Sequence, residues 1–204
     1  MKLYTMPGAC SRGAHIALEW TGKPYEVVKL ALADTKKADY LAVSPLGVVP
    51  AIVEEDGWIL TEGAAILTYI ADTHPEAKLG GDGSPRGRAE LTAWLAHLTS
   101  DVHKAFVPLF APERFIADRS QWADLKAHAV AKVRALLANL DRRLADREYP
   151  VGSHRTVVDA YLFVYLGWTE KLAGGIASFP NLTRVFARMN ADPAVQKVLR
   201  AEET

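Results

Sequence analysis

The sequence predicts a chain of the α/β plus all-α class, and three observations carry that prediction. Short strand-like and helix-like segments alternate up to about residue 72. A stretch at 79–88 (LGGDGSPRGR) with four glycines and a proline then interrupts the pattern. Everything after it is helical in period, with no strand-like alternation.

The first strand is read at 2–5 and stops at Pro7 and Gly8. A helix over 11–21 follows, with Ala14, Ile16, Ala17, Leu18 and Trp20 at helical spacing and Gly22 ending it. The β-rich run 25–32 suggests a second strand, parallel to the first through a right-handed crossover. Segments 50–53 and 58–60 flank Asp56 and Gly57, a hairpin signal. A helix over 62–72 places Ile66, Leu67 and Ile70 on one side. The order βαβ then ββα suits a thioredoxin-like unit over 1–80. An all-helical bundle is expected over 86–204, with helices near 86–107, 121–146, 156–173, 182–190 and 192–201. Thr156 and Asp159 have capping-box spacing at the start of the helix expected to form that unit's core.

Bulk properties exclude several classes of function. Lys plus Arg and Asp plus Glu number 24 each, so no global charge draws the chain to nucleic acid or anionic lipid. No window approaches the roughly 20 apolar residues that span a bilayer. The single cysteine rules out an internal disulfide, and the N-terminal residues do not read as a secretory signal. A cytoplasmic protein is the expectation. The six histidines show no metal-ligand spacing, so no metal is expected.

Four features are able to carry chemistry. Cys10 stands where the first strand gives way to the first helix, so unpaired helix amides and the helix dipole would favour a thiolate. Ser11 beside it is able to cap the helix or donate a hydroxyl to a bound sulfur. A small buried cysteine that only fills space is the alternative. Without a Cys-x-x-Cys motif a dithiol oxidoreductase is not expected, and a monothiol site would need an external thiol. Val49 and Pro50 enter a strand, and a cis bond there would leave backbone groups open to a peptide ligand. Glu62 and Gly63 open a helix whose free amides suit a carboxylate, while Glu62 suits an ammonium group. Glu62 as a mere complement to the helix dipole is the alternative. Finally, Leu91, Leu95, Leu98 and Val102 form one helical stripe, whereas Ala96, Ser100, His103 and Val107 form a second, small and polar face. Such a face suits a cleft wall, or equally a solvated surface with its histidine.

Taken in order, segments 2–11 (KLYTMPGACS), 45–51 (PLGVVPA), 60–63 (LTEG), His103 and Lys104 with 108–110 (PLF), and 156–161 (TVVDAY) resemble the glutathione transferase superfamily, most closely its bacterial beta class. The resemblance spans essentially the whole chain. It implies a cytoplasmic homodimer with a site between the two units, where glutathione is co-substrate and its thiolate attacks a small hydrophobic electrophile in a detoxifying conjugation. Val49, beside a cis Pro50, would hold the cysteinyl backbone of glutathione, and Glu62 and Gly63 the γ-glutamyl end. Cys10, Ser11 and His103 would lie at the thiol, with Ser100 contacting the ligand from the helical unit. Lys36 or Lys37 would supply a binding lysine. Leu46 and Ala96 stand where relatives often carry lysine and asparagine. The electrophile would sit near Phe106, Phe110 and Phe115, with a place in the core as the equal alternative for these three. The rival enzyme reading is a glutathione-dependent thiol-disulfide reductase or peroxidase working through a Cys10 mixed disulfide. A ligand-binding or protein-interaction module on the same fold is the non-enzymatic alternative.

Overall fold

The computed structural model describes residues 1–203. Strand β1 (Lys2–Thr5) leads into helix α1 (Arg12–Thr21), which Gly22 ends in the left-handed conformation. Strand β2 (Glu26–Lys29) returns parallel to β1, and β3 (Ala51–Val53) and β4 (Ile59–Thr61) complete a sheet of order β2-β1-β3-β4. β3 runs antiparallel to both β1 and β4. The expected hairpin forms at Glu54–Trp58, with Gly57 at φ 87°. The second strand is shorter than the run 25–32, because as an edge strand it has β1 to pair with on one side alone.

Between β2 and β3 the chain forms a 3₁₀ turn (Asp34–Lys36) and a short helix α2 (Ala38–Val43), neither of which the periodicity announces. Helix α3 (Gly63–Thr73) lies against α1. The remaining helices are α4 (Pro85–His97), α5 (Lys104–Phe110), α6 (Trp122–Arg143), α7 (Val157–Leu172), α8 (Pro180–Ala191) and α9 (Pro193–Glu203).

The helix expected over 86–107 is three pieces, for a π-helical segment (Leu98–His103) joins α4 to α5. Such π turns re-aim a helix face without breaking the helix. Leu91, Leu95, Leu98 and Val102 are all buried, as their stripe predicts.

Helix α7 is apolar around its circumference, and twelve of its sixteen residues are buried, so it must be enclosed by other elements. It packs against α1, α3, α4 and α8 and so joins sheet and bundle. Its capping box is closed, with Thr156 and Asp159 each bonding the other's backbone. Two glycines admit it. A Cβ at Gly13 would stand 3.0 Å from the Tyr161 ring, and one at Gly63 would stand 2.9 Å from the Tyr161 hydroxyl. No helix among the described residues is long and apolar enough to cross a membrane.

Candidate active site

The site gathers where β1 meets α1, where β3 begins, and where α3 begins. Cys10 is half-buried on the turn before α1, and its thiol donates to the Val49 carbonyl at 3.5 Å. The Val49–Pro50 bond is cis. Among the described residues the Val49 amide has no hydrogen-bond partner, so beside the sulfur lies an open peptide donor.

Helix α3 begins at Gly63 with the amides of Gly63, Ala64 and Ala65 ahead of its first internal bond, which runs from Ile66 to the Glu62 carbonyl. That is an anion site by geometry. Glu62 is exposed, makes no capping bond, and holds φ 72° and ψ 114°. A non-glycine residue in that region is strained by about 1–3 kcal/mol, and such strain concentrates at ligand clamps. Helix-dipole complement alone would not require it. Gly63 also serves packing. Its missing Cβ leaves room for Tyr161.

Two electrostatic expectations are corrected. Burial pushes the Cys10 thiol up to about 12, overcoming the lowering pull of the Cys10 and Ser11 amides, with the Glu62 charge adding to the rise. Cys10 is therefore a neutral thiol here and not a thiolate. Ser11 is fully buried, and its hydroxyl accepts from Thr5 Oγ1 at 2.8 Å and from the Met6 amide at 3.2 Å. Its side chain makes no capping bond, because it ties the end of β1 to the start of α1.

His103 closes the π-helical segment and is partly buried. Burial, helped by the Lys104 charge, pulls it down to about 4, so it is neutral near pH 7. Its ring meets Trp168 edge-on at 5.3 Å, and its Nδ1 lies 3.5 Å from the Tyr165 hydroxyl. When that hydroxyl donates to Nδ1, the imidazole proton is left on Nε2, free to donate to a thiolate. Ser100 is exposed one turn earlier, with its hydroxyl donating to Asp101 at 2.7 Å.

The two candidate lysines separate. Lys37 is paired with Asp34 at 2.7 Å. The Lys36 ammonium instead reaches the Gly47 turn that leads to Val49, 3.1 Å from where a Gly47 Cβ would stand. Leu46 on the same turn is 74% exposed.

Sequence reasoning gives Tyr161 and Tyr165 no role in the site, placing them only on the core helix. Tyr161 stands against Gly63, its ring meets Tyr165 at 5.0 Å, and Tyr165 reaches His103. Burial, with the nearby Cys10 contributing, raises both hydroxyls, Tyr161 to about 12. The available signal was their i, i+4 spacing with Trp168 one turn on, which puts three polar-tipped aromatics on one face of a core helix. Of the phenylalanines expected at the electrophile, Phe106 is fully buried and belongs to the core. Phe110 is half exposed and packs on Trp168 at 4.8 Å, and Phe115 is also exposed. A cavity of about 540 Å³ between α3 and α4, lined by Leu60, Ala64, Tyr69, Leu95 and Ala96, includes neither Cys10 nor His103. Ala96 thus faces α3.

The family model for the glutathione S-transferase N-terminal domain matches residues 3–78, and that for the C-terminal domain matches residues 99–193. The chain belongs to the glutathione S-transferase family. Within the family it is 43% identical, over 99% of its length and 98% of the relative's, to a glutathione S-transferase of Xanthomonas campestris. It is 34% identical to one of Escherichia coli O157:H7, over 99% of this chain and 98% of that one. A solved glutathione S-transferase from Xylella fastidiosa has a TM-score of 0.93 at 40% identity, covering 99% of this chain and 98% of that chain. A Sphingomonas chungbukensis family member of the bacterial beta class has a TM-score of 0.89 at 42% identity, with 99% and 98% covered. A sphingomonad glutathione S-transferase complexed with glutathione matches with TM-score 0.89 at 42% identity, covering 100% and 99%. Membership accounts for the sheet followed by a helical bundle.

Proposed function

We propose that the chain binds glutathione in this site and transfers it to a small apolar electrophile. The observation that carries the reading is Val49, whose carbonyl takes the Cys10 thiol while its amide stays open. A peptide ligand paired to that amide has its own cysteinyl sulfur beside Cys10 and His103. The α3 amides and Glu62 suit the α-carboxylate and ammonium of a γ-glutamyl group, and Lys36 suits the remaining carboxylate.

In this mechanism Cys10, His103 and the backbone amides of Cys10 and Ser11 stabilise the glutathione thiolate. His103 acts as a neutral N–H donor. The electrophile packs against Phe110 and Trp168, with Phe115 nearby. We assign the glutathione-binding unit to 1–80 and the electrophile-binding helical unit to 86–204. The apolar groove between α3 and α4, flanked by exposed Trp58 and Ile59, supports a homodimer. A lone cysteine and neutral charge support a cytoplasmic location.

The neutral Cys10 thiol favours conjugation by glutathione's own sulfur over a Cys10 mixed disulfide, since thiols attack as thiolates. The test is conjugation of glutathione to an aryl halide by wild type and Cys10→Ala, with intact-mass analysis after exposure to oxidised glutathione. Conjugation surviving Cys10→Ala supports the reading. A Cys10-dependent adduct without conjugation replaces it with the thiol-disulfide route, and no calorimetric glutathione binding ends both enzyme readings.

A further inference from the structure

The turn that carries Cys10 is held by side chains from far along the chain. Gly8, at φ 75°, donates its amide to Glu202 Oε2 at 2.9 Å and accepts at its carbonyl from Trp168 Nε1 at 2.8 Å. The same Glu202 oxygen accepts from Arg12 Nε at 3.0 Å and from Arg12 Nη2, and Arg12 is the first residue of α1. The side chains of Arg12 and Glu202 are 12% and 6% exposed. One carboxylate oxygen on α9 thus bonds both the turn before Cys10 and the helix after it.

A glycine turn left to itself samples several backbone conformations, and Cys10 follows two residues later. The Cys10–Val49 contact needs one of those conformations. Charge-assisted bonds in a partly buried setting are the strong ones, and breaking one side of such a pair is costly. The other oxygen, Glu202 Oε1, is buried with no partner among the described residues. An unpartnered buried oxygen costs free energy, so the carboxylate is aimed at the turn at some expense to stability.

We propose that Glu202 is a positioning residue of the active site, fixing the Gly8 turn so that Cys10 stays over Val49. Its kinetic consequence rests on the transferase reading, while its physical consequence does not. The groups that suit the glutathione backbone, the Val49 amide and the α3 N-terminus, do not hang on this turn. Loss of Glu202 therefore acts on turnover and spares glutathione affinity.

The experiment compares wild type, Glu202→Ala and Glu202→Gln in the full chain. Amide exchange is followed in the peptide covering 6–12, with α6 as internal reference, together with iodoacetamide alkylation of Cys10 and steady-state kinetics. In Glu202→Ala, exchange over 6–12 is expected to rise about tenfold with α6 unchanged, the size of one lost charged hydrogen bond. Cys10 alkylation accelerates, kcat falls roughly five- to tenfold, and KM for glutathione stays within about twofold. Glu202→Gln keeps an acceptor for the Gly8 amide and recovers most of the exchange protection and turnover. Exchange over 6–12 that is unchanged, or that rises equally in α6, overturns the proposal and leaves Glu202 a general staple. Failure of Glu202→Gln to recover either property also overturns it. If wild type shows no conjugation, the transferase reading falls, and exchange and alkylation still decide the role of Glu202.

Discussion

Gly63 and Tyr161 offer the sharpest test of how the sheet and the bundle fit together. In Gly63→Ala the new Cβ would lie 2.9 Å from the Tyr161 hydroxyl, 3.4 Å from Cζ and 3.6 Å from Cε2. The last two are ordinary contacts, and the first lies well inside carbon–oxygen contact distance, so the hydroxyl alone makes the clash. Both residues are buried, and Tyr161 is 2% exposed, so relief requires movement of packed side chains. Overpacking of this kind costs about 1–3 kcal/mol. Against it stands a gain of roughly 0.4–1 kcal/mol from replacing a helical glycine by alanine. The net expectation is destabilisation by about 1–2 kcal/mol, taking the middle of both ranges. In the Tyr161→Phe background the oxygen is gone, and Gly63→Ala is left with the gain alone, a stabilisation of roughly 0.4–1 kcal/mol. Urea unfolding of the four proteins gives the coupling energy directly, expected to equal the overpacking cost of about 1–3 kcal/mol. Additivity to within about 0.5 kcal/mol, or a stabilised Gly63→Ala single variant, would refute the packing argument.

Three further outcomes follow from the site. His103 is held near 4, below its ordinary value of 6.5, so as pH falls from 6.5 to 4 the unfolded chain takes up a proton that the folded one refuses. Its contribution is fully present above pH 6.5 and is lost across that window, roughly 2 kcal/mol after discounting for partial exposure. The stability difference between wild type and His103→Gln should shrink across the same range, and a difference flat in pH contradicts the shift. Glu62→Gly relaxes the strained φ of 72° and removes the carboxylate. Thermal stability is expected to hold or rise while KM for glutathione increases about tenfold or more, read by denaturation and kinetics. Lys36→Ala should raise KM for glutathione several-fold, whereas Lys37→Ala, whose ammonium already pairs with Asp34, should leave it unchanged. Equal effects of the two would remove Lys36 from the site.

Much of the fold was legible because it is local. The strand at 2–5, the Asp56-Gly57 hairpin, the capping box at Thr156 and the buried stripe from Leu91 to Val102 depend on turn chemistry and on apolar residues recurring at a fixed period. The π segment at Leu98–His103 was not legible, since a π turn leaves the average helical spacing almost intact. Helix α2 is too short to show a period.

The sequence by itself marked the segments that the proposed chemistry uses: the Cys10 turn, the Val49-Pro50 approach to a strand, the Glu62 helix start and the His103 helix. Tertiary structure decided what each group is. Burial made Cys10 a neutral thiol where its helix position alone argued for a thiolate, because desolvation outweighs the backbone amides. Enclosure by Thr5 and Met6 turned Ser11 from a candidate donor into a strand-to-helix tie. The Tyr161 hydroxyl gave Gly63 its reason, and the bonds from Gly8 to Trp168 and Glu202 span 160 and 194 residues. No local pattern encodes contacts at such separations. They exist only once α7 and α9 pack against α1.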